Sequence, residues 1–220
     1  MNSPILQLLV LAGIAVFLIL RLKNVLGTRE GYEKPPTPPT GAQSKVDRRG
    51  FEVIEGGPDR DIVDHVPEGS ESARALAQMK EIEPSFGVAD FLSGARGAYE
   101  MILMAFERGK LDEIEPYLAP DVFESFAEVV KAREEQGLTI EAEFVGVREL
   151  TLAEASFDQT TRLAEITVRY VGELTQVVKN AEGTVIEGSA TQVKRQKDLW
   201  TFARTMGSDD PNWQLVATGE

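Results

Sequence analysis

Cysteine is absent from this 220-residue chain, which removes disulfides and thiolate chemistry from consideration. Histidine occurs once, as His65, inside the linker-like stretch DRDIVDHVPEGSE, so a histidine triad or a histidine-rich metal site is excluded. The chain also lacks a G-x-x-x-x-G-K-S/T phosphate loop, a G-x-S-x-G elbow and an H-E-x-x-H pair. GARGA at Gly94–Gly97 has no preceding strand and does not read as a dinucleotide fingerprint. Asp112, Glu113 and Glu115 are acidic neighbours without the spacing of a calcium loop. No metal or cofactor site is read from the sequence.

Positive charge is scarce, with 23 Lys/Arg against 36 Asp/Glu and a net charge of −13. It is also unevenly placed. Residues 21–49 carry seven Lys/Arg and three Asp/Glu, net +4; residues 50–85 carry three and nine, net −6; residues 86–220 carry thirteen and twenty-four, net −11. An acidic carboxyl-terminal part repels phosphate backbones, so no nucleic-acid partner is expected.

One long apolar run is present, PILQLLVLAGIAVFLIL at residues 4–20, whose only polar side chain is Gln7. With the apolar residues that follow, it reaches the roughly 20 residues a spanning helix needs. The basic residues follow the run and no small-residue cleavage site closes it, the reverse of a secretory signal. The expectation is an uncleaved anchor over 1–26, with Ile5, Leu8, Leu11, Phe17 and Leu20 in the bilayer and Arg21 and Lys23 at the headgroups. The positive-inside rule then puts the amino terminus outside and the rest in the cytoplasm.

Residues 27–84 are rich in proline, glycine and charge and read as a tether. Within it, Glu71–Ile82 (ESARALAQMKEI) has the spacing of a short amphipathic helix, with Ser70 as N-cap and Pro84 as its stop. It reads either as a transient helix or as a docking segment.

The domain is expected over 85–220. Val88–Arg108 has helical period, with Asp90 as N-cap and Gly109 as stop. At 100° per residue, Phe91, Ala95, Ala98, Tyr99, Ile102, Ala105 and Phe106 share one face. Met101 and Leu103 widen that stripe and Met104 falls within the polar face, so the helix either has a wide buried seam or borders a pocket or partner groove. Asp112–Leu118 is a short helical piece, and Asp121–Gln136 a second helix with Val122, Phe123, Phe126, Val129 and Val130 on its apolar side. After Gly137 the pattern alternates. Strands are expected at Ile140–Ala155 (bent at Gly146), Arg162–Val178, Thr184–Met206 and Trp213–Thr218. Ile166, Val168 and Tyr170 share a face of the second; Trp200 and Phe202 share one of the third. No inward-facing acid is identifiable. The fold class is α+β, with the helices packed on a curved four-stranded antiparallel sheet and preceded by one transmembrane helix.

Three stretches, FLSGARGAYEMILMAFERGKLDEIEPYLAPDVFESF, LAEITVRYVGEL and DLWTFARTMGSDDPNWQLVAT, occur in an order that resembles the Tim44-like domain family. That is the domain of the membrane-docked adaptor of the mitochondrial presequence translocase and of its bacterial relatives. The amino-terminal helix and tether resemble the alphaproteobacterial branch. The resemblance implies a cone like that of nuclear transport factor two, with an apolar pocket. Its wall and partner surface would include Phe91, Tyr99, Met101, Ile102, Met104, Phe106, Phe123, Phe126, Ile166, Val168, Tyr170, Trp200, Phe202 and Trp213. It implies a non-enzymatic adaptor at a bacterial inner membrane, with translocase or chaperone proteins as partners. A homo-oligomer stays open, as do two alternatives: a lipid or hydrophobic-ligand binder, and an enzyme with a buried carboxylate. The mitochondrial protein has a long basic segment before its domain; here a mixed tether takes that place.

Overall fold

The computed structural model describes residues 58–219. The apolar run and its flanking Arg21 and Lys23 lie outside the described residues. Among the described residues no helix is long and apolar enough to cross a membrane.

Among the described residues four helices precede the sheet: α1 (Arg60–Val63), α2 (Glu71–Ile82), α3 (Val88–Glu107) and α4 (Pro120–Glu135). Two 3₁₀ turns, Leu111–Glu113 and Glu115–Tyr117, link α3 to α4. The strands are β1 (Thr139–Asp158), β2 (Leu163–Lys179), β3 (Val185–Thr205) and β4 (Gln214–Gly219), paired antiparallel in the order β1-β2-β3-β4. An α+β meander is therefore present, and its elements follow the sequence periodicity closely.

The tether boundary at residue 84 is corrected. Asp59 accepts a hydrogen bond from the Asp61 amide and opens α1; Ser70 accepts one from the Ala73 amide and opens α2. Ile62, Val66, Leu76 and Met79 all join the hydrophobic core, and Leu76 and Met79 are fully buried. α2 packs along β1, where the Ala155 amide donates to Ser72 Oγ at 3.0 Å. A docked helix that buries Ala75, Leu76 and Met79 is part of the fold, not a transient helix.

α3 also starts differently from expectation. Asp90 is not its cap. Gly87 stands at the N-cap position, and the open amides of Val88 and Ala89 donate to the Asp61 carboxylate at 2.8 and 3.0 Å. A carboxylate borrowed from α1 thus satisfies amides that a helix start leaves unpaired and meets the positive end of its dipole. Lys80 bridges Asp59 and Asp61, both at 2.7 Å. Gly109, at φ +69°, closes α3 in the left-handed conformation that a helix stop needs.

β1 shifts register against β2 at three places, one between Phe144 and Gly146 as the glycine foretold. Such bulges bend a strand and strengthen its twist. One sheet face carries Ala164, Ile166, Val168 and Tyr170 towards the helices, while Glu165, Thr167 and Arg169 face outward. The core lies between that inner face and α2 and α3, and α4 meets β4 through the Ala119 amide, which donates to the Leu215 carbonyl.

Candidate functional site: an aromatic interior with a polar rim

The inner face of the sheet meets α3 through rings. Tyr99 stacks on Tyr170 at 4.3 Å between centroids and lies 4.7 Å from Trp200. At the other end of the helix face, Phe91 sits 4.7 Å from Trp213 and 6.1 Å from Phe202, edge-on to both. Such offset and edge contacts each contribute about 0.5–1.5 kcal/mol beyond area burial. Tyr99 can lie this close because Gly172 stands beneath it. A Cβ there would come within 3.0 Å of the Tyr99 ring.

Both phenols are tied. Tyr170 donates to the Ala95 carbonyl at 3.1 Å, and Tyr99 donates to Asp198 Oδ2. Gln196 Nε2 donates to the same carboxylate oxygen at 2.9 Å and reaches Tyr99 Oη at 3.3 Å. Burial pushes the Tyr99 hydroxyl well above the ordinary phenol range, and the neighbouring Asp198 carboxylate adds to it. Tyr170 is raised for the same first reason, with the Tyr99 oxygen beside it as the next. Neither phenol is a source of phenolate near neutral pH. They are donors.

Farther along α3, Glu107 is buried, and Gln176 Nε2 of β2 donates to it at 2.7 Å. Arg133 of α4 lies over the Phe106 ring at 4.4 Å and donates to the Phe106 carbonyl at 3.4 Å. Burial lowers the Arg133 pKa, opposed by the charge of Glu107. A polar rim, Asp198–Gln196–Tyr99 and Glu107–Gln176, thus borders the aromatic interior on the side of β3.

Of the residues expected to share a pocket wall, the structure brings together Phe91, Tyr99, Ile102, Ile166, Val168, Tyr170, Trp200 and Phe202 in the core, with Phe106, Phe123, Phe126 and Trp213 partly buried against it. Their rings pack on one another. Met101 stands apart, 38% exposed. Met104 is corrected: it is only 6% exposed and not on a wet face. Glu107, its neighbour around the helix, is held by β2, so the sheet reaches round to that side. Asp198 is the inward carboxylate that sequence reasoning missed. Its signal was present, since Asp198, Trp200 and Phe202 alternate on one face of β3. Its Oδ2 is already engaged by two donors, which suits an anchor for Tyr99 better than a free acid. Among the described residues there is no group of three or more His, Cys, Asp or Glu placed to hold a metal ion.

The geometry defines an α+β domain in which helices cover one face of an antiparallel meander around an aromatic interior. A family model described as the Tim44-like domain matches residues 72–220, and the chain belongs to that family. The human mitochondrial import inner membrane translocase subunit TIM44 is 22% identical over 150 residues, which is 67% of this chain and 33% of that protein. The chain therefore matches about a third of the length of that relative. The crystal structure of the intermembrane space region of the chloroplast protein ARC6 aligns with a TM-score of 0.40 and 10% identity, over 58% of this chain and 94% of that one.

Proposed function

We propose that this protein is a non-enzymatic adaptor of the translocase-associated kind, held at a bacterial inner membrane by residues 1–26, with its Tim44-like domain on the cytoplasmic side. It presents that domain to partner proteins in translocation, membrane-protein biogenesis or quality control. The observation that carries the reading is the family match over residues 72–220. The apolar run at residues 4–20, followed by basic residues, supports the anchor. Inner carboxylates and phenols that each already have a hydrogen-bond partner support a presenting role over a chemical one.

Two measurements test it. A photoreactive residue in place of the exposed Met101 of the full-length chain should give discrete protein adducts in cells, identifiable by mass spectrometry. Carbonate extraction should leave the full-length chain in the membrane pellet and release a chain lacking residues 1–26. Release of the full-length chain would overturn the anchor, and lipid adducts without any protein adduct would overturn the adaptor.

A further inference from the structure

β3 is far longer than the strand beside it. β4 pairs only with Leu199–Ala203, so among the described residues the outer edge of β3 has no neighbour from Val185 to Asp198. An unpaired edge offers a row of amides and carbonyls to an incoming strand, and proteins commonly guard it. Part of this edge is guarded. Gly188, at φ +80°, brings its backbone against Gln176, and the pairing with β2 jumps from Lys194 to Ser189. The residues skipped, Ala190 to Val193, leave the ladder.

Between that excursion and β4 lies KRQKD, Lys194–Asp198, a regular stretch with its own chemistry. Lys194, Arg195 and Lys197 put three cations into four residues, within a part of the chain whose net charge is −11 over residues 86–220. Gln196 and Asp198 turn inward to Tyr99. Arg195 and Lys197 turn outward, both well exposed, and Arg195 meets Glu173 at 2.7 Å. Glu173 is shared with Arg148 at 3.7 Å, so one carboxylate serves two guanidinium groups. Val193, 47% exposed, closes a shallow depression with Glu173 and Arg195.

We propose that Lys194–Asp198 is a docking edge for an acidic extended segment of a partner protein, added antiparallel to β3 in line with β4. Main-chain hydrogen bonds supply the affinity of such strand addition and alternate side chains the specificity. Because an antiparallel partner passes Lys197, then Arg195, and then the depression that Val193 lines at the end of the regular stretch, the sequence that fits is acid-x-acid-x-aliphatic. The acids meet Lys197 and Arg195, and the aliphatic side chain enters the depression beside Val193. A second copy of this chain fits worse. Antiparallel self-pairing centred on Gln196 sets Arg195 and Lys197 opposite each other, a like-charge pairing that destabilises a sheet. The inference rests on the adaptor reading only in supposing that a partner exists.

The test is fluorescence anisotropy of the full-length chain with a labelled peptide, Thr-Glu-Thr-Glu-Thr-Val-Thr. Saturable binding with a Kd tighter than ~1 mM is expected. Lys197→Glu should weaken binding at least about tenfold while leaving the melting temperature unchanged, and Arg195→Glu added to it, which also breaks the Glu173 pair, should weaken binding further. If the double variant does not fold, the exposed Lys197→Glu alone decides. N-methylation of alternate peptide amides should abolish binding, because it removes ladder donors and leaves charge intact. No binding at ~1 mM, or binding indifferent to charge reversal or to N-methylation, overturns the proposal. So does a finding that the reversal abolishes self-association in sedimentation, or flotation with phosphatidylglycerol vesicles, because the edge would then serve a second copy or a membrane. The assay needs no membrane and no cellular partner, so its failure leaves the adduct test of the adaptor standing.

Discussion

The two ends of the same sheet differ more than any two elements of the molecule. Near Trp200 and Phe202 the inner face is dry, ringed by Tyr99, Phe91 and Trp213, and covered by α2 and α3. Towards the β2–β3 turn, Val145 (54% exposed), Val185 (52%), Ile186 and Val193 stand in water on the same strands, beyond their register shifts from the dry end. Strand propensity is alike at both ends; cover is not. β-propensity measures fit to a half-buried surface, and the covering elements decide where that surface becomes a core. One end therefore holds the domain together, and the other is free for pairing.

Trp200→Ala should give the largest effect, about 3–5 kcal/mol lost in urea denaturation, because it opens a cavity against Tyr99 and Tyr170. A loss under ~1 kcal/mol would mean that the rings are not the centre of stability. Leu76→Ala should cost about 2–5 kcal/mol, since α2 is a full member of the core. If Leu76 is neutral, α2 is dispensable and the dry end is built by α3 alone. Gly172→Ala should cost about 1–3 kcal/mol, because the added carbon meets a ring that cannot retreat from its bond to Asp198. Combining it with Tyr99→Phe should recover part of the loss.

Asp61→Ala should cost about 0.5–2 kcal/mol at neutral pH through the lost cap on α3. Here the pH dependence has a definite sign. Burial acts to raise the Asp61 pKa, but the Lys80 ammonium and the Ala89 and Val88 amides outweigh it and hold it below the ordinary 3.8. The stabilisation is thus complete above pH 3.8 and is lost as the pH falls through the lower folded value. Melting curves of wild type and Asp61→Ala should converge under strong acid. Val193→Ala, at the wet end, should stay within about 0.5 kcal/mol; a larger loss would show that this end has cover of its own.

The sequence made the periodic parts legible. Glycines at 109, 137 and 146 marked a stop, a change of pattern and a bend, and alternation from Leu163 onward placed Ile166, Val168 and Tyr170 on one face. What it hid were the parts fixed by distant contacts. Residues 59–83 read as tether, apart from the helical spacing of Glu71–Ile82, because charge and small residues surround only five buried apolar side chains. Their role depends on the β1 edge more than 60 residues later. Met104 was misplaced because a helical wheel assumes a flat neighbour. Asp198 was overlooked although its alternation with Trp200 and Phe202 was visible.

The clasp at Asp61 also makes the molecule directional under load. A pull arriving along the chain from residue 58 first meets Asp59 and Asp61, which grip Lys80 and the start of α3. That grip reaches α3 one turn before Phe91, whose ring belongs to the aromatic interior, while the β3 edge lies on another element. The bonds nearest the point of entry are polar ones at one helix end, backed by Ile62 and Val66 in the core.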